Sequence, residues 1–193
     1  EKVKKTTAIL LEETIEELEQ KRKAIEEQAK IIQAENDRKS KELEDARQLQ
    51  LAMLPRELPN VSNLDIAVYM KPATEVGGDY YDFKYNDNGR LIIALGDATG
   101  HGMKAGTMVA AIKGLFTAES IDTDIVSFLN KSNSVIREMH LGNLFMAMLM
   151  VNIDGNKLSF ASAGMPPALI FRNETKIVEE FRLQALPLGG AAN

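Results

Sequence analysis

Residues 75–102 read Glu75-Val76-Gly77-Gly78-Asp79-Tyr80-Tyr81-Asp82-Phe83-Lys84-Tyr85-Asn86-Asp87-Asn88-Gly89-Arg90-Leu91-Ile92-Ile93-Ala94-Leu95-Gly96-Asp97-Ala98-Thr99-Gly100-His101-Gly102. Tyr80 to Tyr85 and Leu91 to Leu95 have the composition of two strands, and Asn86-Asp87-Asn88-Gly89 between them is a hairpin turn signal. A strand pair joined by a hairpin is antiparallel, so Asp79 at the start of one and Asp97 at the end of the other lie side by side. Two carboxylates brought together, with glycines leaving room and exposing backbone carbonyls, form a plausible Mg²⁺ or Mn²⁺ site. Two other readings stand beside it. Gly-Gly-Asp is commonly a turn, and Gly-Asp before a helix is commonly an N-cap.

Working outward, Leu64-Asp65-Ile66-Ala67-Val68-Tyr69-Met70 alternates with period two and reads as a half-buried strand. A helix with apolar Ala105, Met108, Val109, Ile112, Leu115 and Phe116 follows the hairpin. A second carries Ile125, Phe128, Leu129, Val135, Ile136 and Met139, with Thr123 or Asp122 to cap its start and Gly142 its end. Apolar strands then fall at 144–153, 157–161 and 168–172, with Met146, Met148 and Met150 as core filler. Three strands, two helices and three strands predict an α+β domain of antiparallel sheet packed with helices, over residues 64–193.

Residues 1–54 follow a different grammar. They contain no Pro and no Gly, and Pro55 ends the run. Apolar residues alternate at four and three along Ala8, Leu11, Ile15, Leu18, Arg22, Ile25, Ala29, Ile32, Asn36, Lys39, Leu43, Ala46, Gln50 and Met53, and ten of these fourteen positions are apolar. A sustained 3.5-residue period predicts a left-handed coiled coil. The heptad places Lys21 opposite Glu26 and Glu42 opposite Arg47 of a partner helix, which suits a parallel, in-register homodimer. Arg22, Asn36, Lys39 and Gln50 weaken the seam. Leu49, Leu51 and Leu54 lie off it and call for a second surface in the following domain. Residues 55–63, bracketed by Pro55 and Pro59, form a short linker.

Composition narrows the function. A net charge of −5 argues against a nucleic-acid partner. The absence of cysteine removes disulfides, thiolate catalysis and cysteine metal sites, and fits a reducing, cytoplasmic setting. No apolar run approaches the ~20 residues of a bilayer span, so no membrane contact by this chain is expected. The chain opens Glu1-Lys2-Val3 without an initiator methionine, as expected of a processed chain or a fragment of something longer. Lys104 follows a glycine-rich stretch, but the Gly-Lys-Ser/Thr of a P-loop is absent. His101 is a ligand or a loop-shaping residue, and His140 a surface residue near a helix C-terminus.

The two acidic segments, residues 75–83 and 96–102, together resemble the signature segments of SpoIIE/RsbU-like phosphatases of the PPM (protein phosphatase type 2C) superfamily. The resemblance extends to Ala46–Pro55, similar to the family's helix-to-domain linker, and to Ala163-Gly164-Met165-Pro166-Pro167, similar to its Ala-Gly-His-x-Pro segment with Met165 in place of histidine. It implies a PPM-type β-sandwich flanked by helices. It makes Asp79 a metal-site aspartate, Asp97 the aspartate bridging two Mn²⁺ or Mg²⁺ ions, and Ala98 the donor of a backbone carbonyl. The implied reaction is hydrolysis of phosphoserine or phosphothreonine. The implied partners are a phosphorylated STAS-domain anti-anti-sigma factor and an upstream sensor domain. The family continues to a Tyr-Thr-Asp-Gly-type segment and a late Asp-Asp pair beyond Asn193, so a C-terminally incomplete domain with weak metal binding and little turnover is expected of these 193 residues. The alternative is a catalytically inactive phosphatase fold that only binds partners.

Overall fold

The computed structural model describes residues 2–61, 64–71, 76–86 and 88–190, with Lys2 and Lys4 as backbone only. Helix α1 spans Lys2–Met53 without interruption, as its lack of Pro and Gly allows. The chain divides into two compact units, residues 1–42 and 43–193. In the first, the seam residues Leu11, Ile15, Leu18, Ile25 and Ile32 are exposed. Charges on the helix pair locally, Lys21 with Glu17 and Arg38 with Glu42, contacts worth only a few tenths of a kcal/mol each.

In the second unit, β1 (Asp79–Tyr85), β2 (Leu91–Ala98), β3 (Met146–Asp154) and β4 (Lys157–Ala163) form one antiparallel sheet in the order β1-β2-β3-β4. Helices α2 (Met103–Ala118) and α3 (Ile125–Glu138) connect β2 to β3 and cover one face. The period of two sends alternate residues to opposite faces. Tyr80, Ile92, Ala94, Met146, Met148, Met150, Ala161 and Ala163 meet Met108, Ile112, Phe116, Phe128 and Ile136 in one core. The three methionines are at most 2% exposed, so they are core filler as read. β5 (Ala168–Arg172) and β6 (Ile177–Phe181) pair as a second, two-stranded sheet. Its Phe181 packs edge-on against Phe160 at 5.3 Å, on the face of β4 opposite Ala161. Helices thus cover one face of the four-stranded sheet, and β6 meets the other at Phe160.

Several expectations are corrected. Residues 64–70 form no strand: Leu64 N–H bonds only to Val61 O, and no ladder partner lies alongside among the described residues. Alternation alone does not make a strand without a neighbour to satisfy its backbone. Conversely β6 is an unforeseen strand, because Glu179 and Glu180 mask its period and its turn uses Lys176 rather than glycine at φ 58°. α3 is capped by Asp124, whose Oδ2 accepts the Ser127 N–H at 2.9 Å, not by Thr123 or Asp122. It ends at Glu138, where His140 rather than Gly142 is the first residue to turn left-handed, at φ 51°. The last turns of α1 dock as foreseen through Leu51 and Leu54, but Leu49 points outward at 66% exposure. Gln50 turns inward in its place.

Candidate metal centre

In the β1–β2 ladder Asp79 is the direct partner of Asp97. The Ala98 N–H donates to Gly78 O at 2.9 Å, so 78/98 is a hydrogen-bonded pair and the next pair, 79/97, is not. Non-bonded pairs bring Cα atoms to about 4.5 Å, the closer of the two spacings. Both aspartates are exposed on the sheet end. The structure therefore brings the two predicted carboxylates together and leaves them accessible. The packing around Asp97 and, second, the charge of Asp79 push the Asp97 carboxyl above the ordinary carboxylate range. Two like charges placed this close favour a cation between them.

Ala98, the third predicted residue, ends β2 and is 3% exposed. Its backbone explains Gly78. A Cβ on Gly78 would lie 2.3 Å from Ala98 O, 3.1 Å from Ala98 N and 3.1 Å from Asp97 Oδ1. The obstructing atoms are mostly backbone and cannot swing aside. Gly78→Ala is thus expected to spread the strand ends, lowering stability by about 1–3 kcal/mol and Mn²⁺ affinity at least about tenfold, a loss of about 1.4 kcal/mol. Urea denaturation and Mn²⁺ titration of the variant check both. Unchanged values would show that the strand ends separate freely.

Donor type fits a hard divalent cation: carboxylate and carbonyl oxygens, with no thiolate. Among the described residues, no group of three or more His, Asp or Glu side chains converges as a metal cluster. Glu75, first of the acidic segment, lies outside the described residues. His101 is exposed in a bend between Gly100 (φ 85°) and Gly102 (φ 75°), the geometry of a loop-shaping position.

Two residues that the motif reading passed over hold this site in place. Gln50 is 4% exposed. Its Nε2 donates to Gly77 O at 2.7 Å and its Oε1 accepts the Gly77 N–H at 3.1 Å. This amide clasp joins the end of α1 to the glycine pair preceding Asp79. Asp82, three residues beyond Asp79 on β1, is also 4% exposed. Its carboxylate accepts from Lys113 Nζ at 2.6 Å, Tyr80 OH at 2.9 Å and its neighbour's amide, Phe83 N–H, at 2.9 Å. Burial, then the Asp82 charge, drives the Tyr80 hydroxyl far above its usual range. Lys84 beside it donates to the carbonyls of Thr117 and Glu119 at the end of α2, and burial lowers its ammonium pKa. β1 is thereby bound to α2 by buried charge.

Known proteins bear the same stamp. The family model described as Stage II sporulation protein E (SpoIIE) matches residues 87–192, a span that includes Asp97 and Ala98 and begins after Asp79. Phosphoserine phosphatase RsbU of Bacillus subtilis is 28% identical over 153 residues, covering 77% of this chain and 45% of RsbU. Protein IcfG of Synechocystis is 28% identical over 163 residues, covering 69% of this chain and 26% of that protein. The chain thus spans less than half the length of these curated relatives. The SiaA-PP2C domain of Pseudomonas aeruginosa has the same fold, with a TM-score of 0.63 at 23% identity over 80% of this chain and 64% of that one. The ladder, the flanking helices and the family match agree, and the chain belongs to the SpoIIE family of PP2C-type phosphatase domains.

Proposed function

We propose that this chain is the output part of a signalling protein that hydrolyses phosphoserine or phosphothreonine on a protein partner, with two Mn²⁺ or Mg²⁺ ions. The observation that carries the reading is the direct pairing of Asp79 with Asp97 across the ladder, beside the Ala98 backbone. Asp79 and Asp97 would hold the ions through their carboxylates, with Asp97 shared between them, and Ala98 would contribute its carbonyl. When bound, such ions lower the pKa of a coordinated water and neutralise phosphoryl oxygens. The chain's own residues place the two carboxylates, keep them open to a large substrate, and fix their spacing through Gly78 and the Gln50 clasp.

The substrate we propose is a STAS-domain anti-anti-sigma factor, on the family resemblance and the phosphoserine phosphatase name of RsbU. A homodimer through α1, an upstream sensor and a cytoplasmic setting complete the reading. A net charge of −5 opposes a nucleic-acid role, and no helix of the described residues is long and apolar enough to cross a membrane. With two carboxylates paired among the described residues, this chain should bind Mn²⁺ weakly, because affinity follows ligand charge and number. The test is Mn²⁺ titration of this chain beside the native-length gene product and its Asp79→Asn form. Tight binding by the native-length protein that Asp79→Asn weakens supports the reading. Equal, weak binding by all three would favour the second reading, a phosphatase fold that only docks partners.

Control runs through the clasp. A rotation of the helix at Gln50 moves the Gly77 backbone, and Gly78 and Asp79 follow it. Insertions of four and seven residues within α1 rotate its end by different amounts, about 100° per residue. They should give different activities in the native-length protein. In a Gln50→Ala background that difference should vanish. Equal activity in every phase without the substitution would refute control through the helix.

A further inference from the structure

A cavity of about 380 Å³ opens where α3 ends and β3 begins, lined by apolar Ile136, Leu141 and Leu144 and by basic Arg137 and His140. Backbone contacts build it. Met146 and Leu188 exchange both of their hydrogen bonds, at 3.0 and 2.8 Å. The Gly189 N–H donates to Asn133 Oδ1 at 2.8 Å, and a Cβ on Gly189 would lie 2.8 Å from Ile136 Cγ2 and 3.2 Å from Leu144 O. The cavity lies at the carboxylate end of the sheet. Ala147, the second residue of β3, is the ladder partner of Asp97. Phe145 O accepts from the N–H and the hydroxyl of Thr99, two residues beyond Asp97, at 2.9 and 3.2 Å.

Arg22, Arg38, Arg47, Arg90, Arg172 and Arg182 each pair with a carboxylate. Among the described residues, Arg137 and the linker's Arg56 do not. Glu138 is next to Arg137 in sequence, and such neighbours on a helix do not face one another. The Nδ1 of His140 is taken up by Glu138 O, which leaves its Nε2 for another group. A cation in the last turn also suits the helix dipole, but that role needs no cavity beside it. We infer that the cavity seats an acidic side chain of the phosphoprotein substrate, with an apolar neighbour against Leu141 and Leu144. The inference rests on the phosphatase reading and deepens it. A guanidinium takes a carboxylate through two parallel hydrogen bonds. A fixed positive charge beside Asp79 and Asp97 draws in a partner that already carries a phosphoryl group. The contact touches no reacting atom, so it holds ground state and transition state alike, and its loss falls on KM.

The test is phosphate release by the native-length protein with Mn²⁺, on a phosphoserine STAS protein and on p-nitrophenyl phosphate, which offers no protein surface. Arg137 is exposed, so the fold tolerates its replacement. Arg137→Glu reverses the charge but sets an acid at a helix C-terminus, so Arg137→Gln serves as the neutral companion. Arg137→Glu should raise KM for the STAS protein about tenfold and Arg137→Gln about threefold, each relative to p-nitrophenyl phosphate. Arg137→Lys, which keeps the charge, should recover part of the loss. Arg182→Glu, outside the cavity, should leave KM within about twofold. A KM that Arg137→Glu leaves within about twofold, with both substrates turned over, overturns the docking cavity and leaves the phosphatase reading standing. An equal fall on both substrates makes Arg137 a structural residue and overturns the docking role as well. No turnover of either substrate by the unsubstituted protein overturns the phosphatase reading and this inference with it.

Discussion

Lys113→Met is expected to lower stability by about 3 kcal/mol, the low end for breaking a buried ion pair. The low end applies because the Lys113 side chain is 27% exposed while that of Asp82 is 6% exposed. The loss comes less from the vanished attraction than from the charge left behind. Asp82 would keep two hydrogen bonds, from Tyr80 OH and its neighbour's amide, while its side chain stays 6% exposed. Removing both charges, as Asp82→Asn with Lys113→Met, should therefore cost at least about 1 kcal/mol less than Lys113→Met alone. Urea denaturation of the three proteins gives the comparison. A single substitution that costs under about 0.5 kcal/mol would place the pair among solvated surface contacts and remove it as the tie between β1 and α2.

The parts of the fold that local pattern encodes were legible from sequence. The Asn88-Gly89 turn and the apolar runs on either side led to the β1–β2 hairpin, and antiparallel geometry then put Asp79 beside Asp97. The 3.5-residue period and the absence of Pro and Gly led to α1, and apolar spacing placed α2 and α3 within a few residues. What escaped depends on partners distant in sequence. Gln50 read as a weak point in a seam, because nothing local announces that its amide faces Gly77, 27 residues on. Asp82 read as one more acid in a motif. A signal was present in its position on the same strand face as Tyr80, two residues back, a face that then had to be buried. Residues 64–70 misled in the opposite sense, since they alternate like a strand with no neighbour to pair with among the described residues.

The site itself was legible to the level of residue type and adjacency. The steric reason for Gly78 was not, because it lies in the approach of Ala98 O from the next strand. The same approach explains why a turn reading of Gly-Gly-Asp was tempting but incomplete. Gly78 is at no special φ. It is small because the adjoining carbonyl leaves no space for a Cβ.

The largest expected effect belongs to Asp97→Asn. The substitution keeps shape and volume and removes one negative charge at the point where Asp79, Asp97 and the Ala98 backbone converge. If Asp97 is shared between two cations, loss of its charge weakens both, and a loss of about 4 kcal/mol of transition-state stabilisation corresponds to on the order of 10³-fold in rate. The fold should stand, because the Asp97 side chain is exposed. The most direct test is therefore Mn²⁺-dependent phosphate release from a phosphoserine STAS protein by the native-length gene product, measured beside its Asp97→Asn form. Release that requires Mn²⁺ and falls about 10³-fold in the variant is the predicted result. Release that the variant retains within about tenfold, a change of only about 1.4 kcal/mol, or no release by either folded protein with Mn²⁺ present, would contradict it.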